Sequence, residues 1–309
     1  MRTPTLGLLL PLLMCCVGNA AETETPTIET VLIQGATFTM GTPLKPGDSE
    51  YHDDEAPMEV TVETFRIGKY PVTAKQMCAF LNSERTNELD RRTLYNHQDI
   101  GEYKYSTITL GDDGKYVPRE GAEATPANQV TWKGAVLFCE WYSEQTGKQY
   151  RLPSEEWELA ARGPERRNWP WGDATPGKNH GERYDREGRL SWSRTPVGSH
   201  PKNATKDGIC DLLSYTIGEW CANAFEVDNT PEQATDIAAN LDDLQSPRVV
   251  RGYLSRSYPV GGQLRRLTTY GWRSHLGRPW TRVGIDPMKE VERAARHGFR
   301  IVEVVAMPN

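Results

Sequence analysis

Glycine and proline interrupt this sequence so often that neither a long helix nor a wide unbroken sheet can form from it: 27 glycines and 21 prolines are spread over 309 residues. Glycine loses the most backbone freedom on entering a regular element, and proline lacks an N–H, so both collect where the chain turns. Hydrophobic residues still make up 37% of the chain, enough to bury the core of a domain. Nine tryptophans supply large flat groups able to brace loops. The composition points to a loop-rich fold with many turns, and not to a helical bundle or coiled coil. Charge narrows the function. With 36 basic against 42 acidic residues the formal net charge is -6, which gives no positive field to gather a nucleic-acid backbone.

The amino terminus reads as a secretory signal peptide. Arg2 precedes the apolar run Leu6 to Met14, and Gly18 and Ala20 are small residues that place cleavage after Ala20. That run is too short to span a bilayer, and no other segment is long and apolar enough. The expected organisation is a signal peptide at 1–20, a polar leader at 21–30 and one domain at 31–309, secreted or periplasmic. Four cysteines remain after cleavage, Cys78, Cys139, Cys210 and Cys221. They permit two disulfides in three connectivities, or buried thiols, and their spacing does not match a zinc motif.

Val31–Ile33 and Thr37–Gly41 read as a strand pair around Gly35, and Val60 to Ile67 alternates as a strand with one wet face. Thr73 with Gln76 three residues on forms a capping box ahead of a helix that buries Cys78. Residues 84–128 are polar and turn-rich, as in an insertion or long surface excursion. A second helix is expected from Thr131 to Gln145, stopped by Gly147, and a third from the Glu155–Glu156 pair to about Arg162, stopped by Gly163–Pro164.

A series of short segments in fixed order then carries a family resemblance. Phe38-Thr39-Met40-Gly41, Phe65-Arg66-Ile67-Gly68-Lys69-Tyr70-Pro71-Val72-Thr73, Val130-Thr131-Trp132, Tyr150-Arg151-Leu152-Pro153-Ser154, Glu156-Trp157-Glu158-Leu159-Ala160-Ala161-Arg162-Gly163, Pro170-Trp171-Gly172, Glu219-Trp220, Arg248-Val249-Val250-Arg251-Gly252 and Gly298-Phe299-Arg300 resemble the formylglycine-generating enzyme, or sulfatase-modifying-factor, family. The resemblance implies a compact α+β fold related to C-type lectins, a single domain of low regular secondary structure with short helices and strands joined by long loops. It also implies oxidation of a sulfatase cysteine by copper held on two cysteines, with structural calcium common. This chain departs from the pattern where that chemistry sits, because residues 251–300 contain no cysteine. Soft Cu(I) selects thiolates, so copper is not expected. The Asp207–Trp220 stretch loses the family's Gly-Asn turn and gains a residue, and the Leu152-Pro153-Ser154-Glu155-Glu156-Trp157 helix start is one residue short.

For calcium, the resemblance points to Asn179 and Asn203, which serve equally well as turn residues. Eleven arginines fall between Arg248 and Arg300, where they pin loops to internal carboxylates or face an anionic or peptide ligand. The candidate site comprises Glu219 and His275 as acid or base, and Arg251, Tyr253, Ser255, Trp272 and Arg273 against a substrate. For Glu219 the structural reading, a hydrogen-bond hub, is favoured, because the Glu219-Trp220 pair belongs to the fold signature. The leading expectation is an exported oxidative or maturation enzyme tailoring a peptide or peptide-derived substrate without the two-cysteine copper site. The resemblance also implies repurposed relatives, including a periplasmic branch that acts in maturation of the siderophore pyoverdine. The alternatives are a non-catalytic lectin-like binder of a cell-envelope ligand and an orthodox copper-dependent sulfatase activator, against which the missing cysteines weigh.

Overall fold

The computed structural model describes residues 25–40, 57–95, 106–167, 169–174, 195–214, 217–224, 248–252 and 297–305. The chain starts with β1 (Thr30–Ile33) and β2 (Ala36–Met40), followed by β3 (Met58–Val62) and β4 (Phe65–Gly68). The two strands flanking Gly35 were expected to pair with each other and do not. Instead β1 lies antiparallel to β4, Thr30 opposite Gly68 and Ile33 opposite Phe65, while β2 lies antiparallel to β3, Ala36 opposite Val62 and Met40 opposite Met58. The four strands form one long two-stranded ribbon, bent at Gly35 on one side and at Glu63–Thr64 on the other. A Cβ at Gly35 would lie 2.5 Å from the Val62 carbonyl oxygen, so the bend needs glycine. Thr64 Oγ1 accepts from Gly35 N–H at 3.0 Å and fastens it.

The helices form where their end signals are. In α1 (Ala74–Leu81) the Thr73 N–H donates to Gln76 Oε1 at 2.8 Å and Gln76 N–H to Thr73 Oγ1 at 3.4 Å, the reciprocal capping box. α2 (Trp132–Thr146) is capped by Thr131, which accepts from Gly134 N–H, and ends on Gly147 in the left-handed region at φ 70°. Between them stand β5 (Ile108–Leu110) and β6 (Tyr116–Pro118), a hairpin. The described part of the 84–128 stretch is more than surface loop. Leu94, Tyr95, Ile108 and Tyr116 are buried in the same core as both helices.

β7 (Tyr150–Arg151) leads to α3 (Glu156–Arg162), and the chain closes with β8 (Gly218–Ala224), β9 (Arg248–Arg251), β10 (His297–Gly298) and β11 (Val302–Val304). β11 inserts between β4 and β7 to complete the sheet β1-β4-β11-β7. β8 lies between β10, parallel to it, and β9, antiparallel. The β8–β9 pair divides the interior. Trp220, Ala222 and Val250 face the core built by α1 and α2, where Phe138 meets Phe80 and Phe299 edge-on. Cys221 and Val249 face a second core with Trp157, Leu212 and the bent ribbon. Four buried tryptophans, Trp132, Trp141, Trp157 and Trp220, brace these layers as the sequence implied. No helix among the described residues is long and apolar enough to cross a membrane.

Candidate functional site

The face of β8 that looks toward α3 carries Glu219, Cys221 and Asn223 in succession, because strand side chains alternate. Glu219 lies deepest. Arg300 Nε donates to its Oε2 at 2.5 Å and Arg300 Nη2 to its Oε1 at 2.7 Å, while Trp157 Nε1–H donates to Oε2 at 2.8 Å. The remaining guanidinium donors reach the Gly68 carbonyl at 3.0 Å and the Cys210 carbonyl at 3.1 Å. Arg300 thus ties β8, β4 and the 195–214 loop together from a position with no exposed surface. Forked Arg–carboxylate geometry satisfies both charges where water is absent. As an acid or base Glu219 has both oxygens committed, and the arrangement is that of a pin.

Arg251 at the end of β9 is held in the same way. Its Nη1 donates to Glu158 Oε2 at 3.2 Å, and Glu158 Oε1 accepts from Arg162 Nη1 at 3.1 Å, so one buried carboxylate serves two guanidiniums. Arg248, at the other end of β9, lies 4.0 Å over the Trp132 ring, whose Nε1–H donates to the Cys221 carbonyl at 2.9 Å. On the opposite face of β8, His297 packs edge-on against Trp220 with ring centroids 4.5 Å apart.

The two glutamates before Trp157 part company. Glu156 accepts from Ser154 N–H at 2.6 Å and from Ser154 Oγ–H at 2.5 Å, and it pairs with Arg151. Burial pushes its carboxyl up, but Arg151 and Ser154 more than offset this and hold it below the usual range. Glu155 makes no cap to α3 and reaches across to β8, where Asn223 Nδ2–H donates to its Oε1 at 2.8 Å. Its Oε2 is buried without a hydrogen-bond partner among the described residues. Burial pushes this carboxyl up to about 7 and neighbouring Glu156 pushes the same way, against the pull of Arg251, of its own backbone N–H and of Ser154. The two adjacent carboxyls are thus driven apart, Glu156 held charged by Arg151 and Glu155 able to hold a proton near neutrality.

Of the site residues expected from sequence, Glu219 and Arg251 stand within this layer as partners of Arg300 and Glu158. His275, Tyr253, Ser255, Trp272, Arg273 and Asn179 lie outside the described residues. Asn203 ends a 3-10 turn (Pro201–Asn203), buried, with Nδ2–H donating to the Leu213 carbonyl at 2.9 Å. Sequence reading missed Glu155 and Asn223. The only signal was the doublet Glu155–Glu156 in a helix start one residue short of the family pattern.

All four cysteines are free and buried, so the disulfides that the count permitted are not formed. Cys78 on α1 and Cys139 on α2 belong to the helical core and Cys221 to the second core, each held by a strand or helix that packs it against apolar neighbours. Burial pushes the Cys78 and Cys221 thiols up to about 12 and raises Cys139 and Cys210 as well. Thiols so buried do not supply the thiolate pair that Cu(I) requires, and the described residues do not fit that centre. Among the described residues no three His, Cys, Asp or Glu side chains gather into a metal-holding cluster.

A sulfatase-modifying factor enzyme 1-like domain model matches residues 17–303. The formylglycine-generating enzyme of Mycobacterium tuberculosis is 26% identical over 240 residues, 64% of this chain and 74% of its own. The inactive C-alpha-formylglycine-generating enzyme 2 of Bos taurus is 30% identical over 314 residues, 91% of this chain and 90% of its own. Among solved structures, PvdO from Pseudomonas aeruginosa superposes with a TM-score of 0.54 at 20% identity, covering 89% of this chain and 94% of that one, and has the same fold.

Proposed function

This chain belongs to the sulfatase-modifying factor enzyme 1-like family, and we propose that it is an exported tailoring enzyme that modifies a peptide or peptide-derived substrate by chemistry that uses no thiolate copper centre. The state of the thiols carries the reading. Every cysteine left after a cut at Ala20 is buried with its thiol raised, while the segment 251–300 that would hold the copper pair has no cysteine. The M. tuberculosis relative is named for an enzymatic product, which supports catalysis on this scaffold. The run Leu6 to Met14 with Ala20 supports export, and the periplasmic maturation of a siderophore peptide is the kind of task that fits. Structural calcium at Asn179 and Asn203 remains part of this reading, as bound oxygen-ligated cation without a chemical role.

A second reading is favoured by the bovine relative, which is named inactive and matches over more of the chain than the bacterial enzyme. On that reading the fold binds a peptide or envelope ligand without turning it over. Comparative mass spectrometry of peptide-derived products separates the two. A host lacking the chain should accumulate a precursor, and both the wild-type chain and the Cys210→Ser, Cys221→Ser double variant, each verified as folded by circular dichroism, should restore the product. An unchanged product spectrum would refute the enzyme reading, and a folded double variant that fails to restore the product would refute thiol-independent chemistry.

A further inference from the structure

Trp169 and Trp171 are the described tryptophans that lie outside the two large cores. Both are half-buried, whereas Trp132, Trp141, Trp157 and Trp220 are buried. They sit on a tight turn, Trp169-Pro170-Trp171-Gly172, closed from both sides: Trp169 N–H donates to the Gly172 carbonyl and Gly172 N–H to the Trp169 carbonyl, each at 2.8 Å. Gly172 at φ 115° takes a backbone conformation that other residues resist, and Pro170 fixes its own φ, so the turn is rigid. It holds the two indoles 4° from parallel with ring centroids 5.6 Å apart, packed over buried Leu213. Trp171 is locked further by its Nε1–H, which donates to the Ala174 carbonyl at 2.8 Å. Trp132, Trp157 and Trp220 likewise commit theirs to buried acceptors. Trp169 Nε1–H meets no acceptor among the described residues. Ser214, next to Leu213, donates its N–H to the Gly252 carbonyl at 2.9 Å, which sets the turn beside the end of β9.

We propose that the Trp169–Trp171 pair is a binding platform for an aromatic side chain of a peptide, whose ring stacks on the indoles while its backbone carbonyl accepts from Trp169 Nε1–H. Two large rings held rigid at a surface offer contact area that a ligand covers with little further ordering. An offset stack extends to a third flat ring at the same spacing, whereas a branched aliphatic chain cannot lie flat on it. The uncommitted donor selects a ligand with one acceptor at its edge. A sugar would need several polar side chains to read its hydroxyls. The charged groups just ahead of the turn are already joined to one another, Glu165 Oε1 to Arg167 Nη1 at 2.6 Å and to Lys206 Nζ at 2.8 Å. The inference rests on the tailoring reading for its peptide and names where that peptide is held. Binding is measured without any product, so the two fail separately.

The test is a titration of the folded full chain, carrying isotope-labelled tryptophan for nuclear magnetic resonance, with N-acetyl-L-phenylalaninamide. Trp169→Phe and Trp171→Phe each delete one indole N–H resonance and so assign the pair. The amide should move the Trp169 resonance to saturation with a dissociation constant on the order of a millimolar. The resonance of buried Trp220, committed to the Val130 carbonyl, should stay in place. N-acetyl-L-leucinamide at the same concentration should move Trp169 less than about a fifth as far, for want of a ring to stack. Trp169→Phe keeps a ring and loses the N–H, so binding read at the Trp171 resonance should weaken about fivefold. Trp169→Ala, with the other indole resonances unchanged, should abolish it. No saturating shift, a leucinamide shift as large as that of the phenylalaninamide, or a larger shift with methyl β-D-glucopyranoside would each overturn the proposal. Those three comparisons use the wild-type chain alone, so they decide the matter even where a variant does not fold.

Discussion

Replacing Glu219 by glutamine asks whether that carboxylate is a pin or a reagent. Arg300 and Trp157 place three donors on two oxygens, at 2.5, 2.7 and 2.8 Å, and the arginine has no exposed surface. Glutamine keeps the shape but turns one acceptor into an NH2 facing a donor, and it strands a buried guanidinium charge. Stranding one partner of a buried pair costs about 3–5 kcal/mol. Arg300→Met should cost a similar amount for the mirror reason. The double variant Glu219→Leu, Arg300→Met removes both charges and leaves three buried groups without partners, the Gly68 and Cys210 carbonyls and the Trp157 Nε1–H. At about 1 kcal/mol or somewhat more for each lost bond, the double should sit about 2–4 kcal/mol below wild type. The singles sum to about 8 kcal/mol, so the coupling is about 5 kcal/mol. Urea unfolding at neutral pH, followed by tryptophan fluorescence and circular dichroism to confirm a single transition, measures all four states. Single variants costing less than about 1 kcal/mol, or effects that simply add, would refute the pin.

Glu155 titrates near 7 in the folded chain against a reference value of 4.5, so the native state holds that proton more tightly than the unfolded one. Its contribution is therefore greatest below 4.5 and is lost as pH rises through about 7, about 3 kcal/mol across the window; Glu155→Gln should remove this slope in pH-dependent urea melts, and parallel curves for the two proteins would contradict it. Native-state alkylation with iodoacetamide should leave Cys78, Cys139 and Cys221 unlabelled, and urea without reductant should expose all four cysteines. Fewer than four labels in urea would mean disulfides. Gly134→Ala would place a Cβ 2.0 Å from the Leu94 carbonyl oxygen, and thermal unfolding should register a loss of about 2 kcal/mol or more, with an unchanged melting temperature as the contrary result.

The helices were legible because their ends are written locally: Thr73 with Gln76, Thr131 with Gly147, and Gly163 after Arg162 each set a boundary within one turn. Strand pairing was not, because whether β1 pairs β2 or β4 depends on the bend at Gly35 and on a partner more than thirty residues away. The polar composition of 84–128 hid Leu94, Tyr95, Ile108 and Tyr116, four apolar anchors too widely spaced to show a period. The arginine-rich carboxyl-terminal stretch signalled buried ion pairs or a ligand. Arg251 and Arg300 turn out to be pins, but their partners Glu158 and Glu219 could not be matched from spacing alone. Glu155 looked like a first-turn carboxylate complementing a helix dipole. Only the tertiary fold brings Asn223, 68 residues on, against it and leaves its second oxygen unpartnered.

The central claim, a member of this family that works without thiolate copper, is tested most directly by the metal content of the mature protein. Elemental mass spectrometry should be run on the protein as purified and after anaerobic loading with Cu(I) under reducing conditions, beside the Cys210→Ser, Cys221→Ser variant. The account predicts no stoichiometric copper in either protein, with or without loading. One copper per chain in the wild type, lost in the variant, would contradict it and restore thiolate oxidation as the chemistry of this chain.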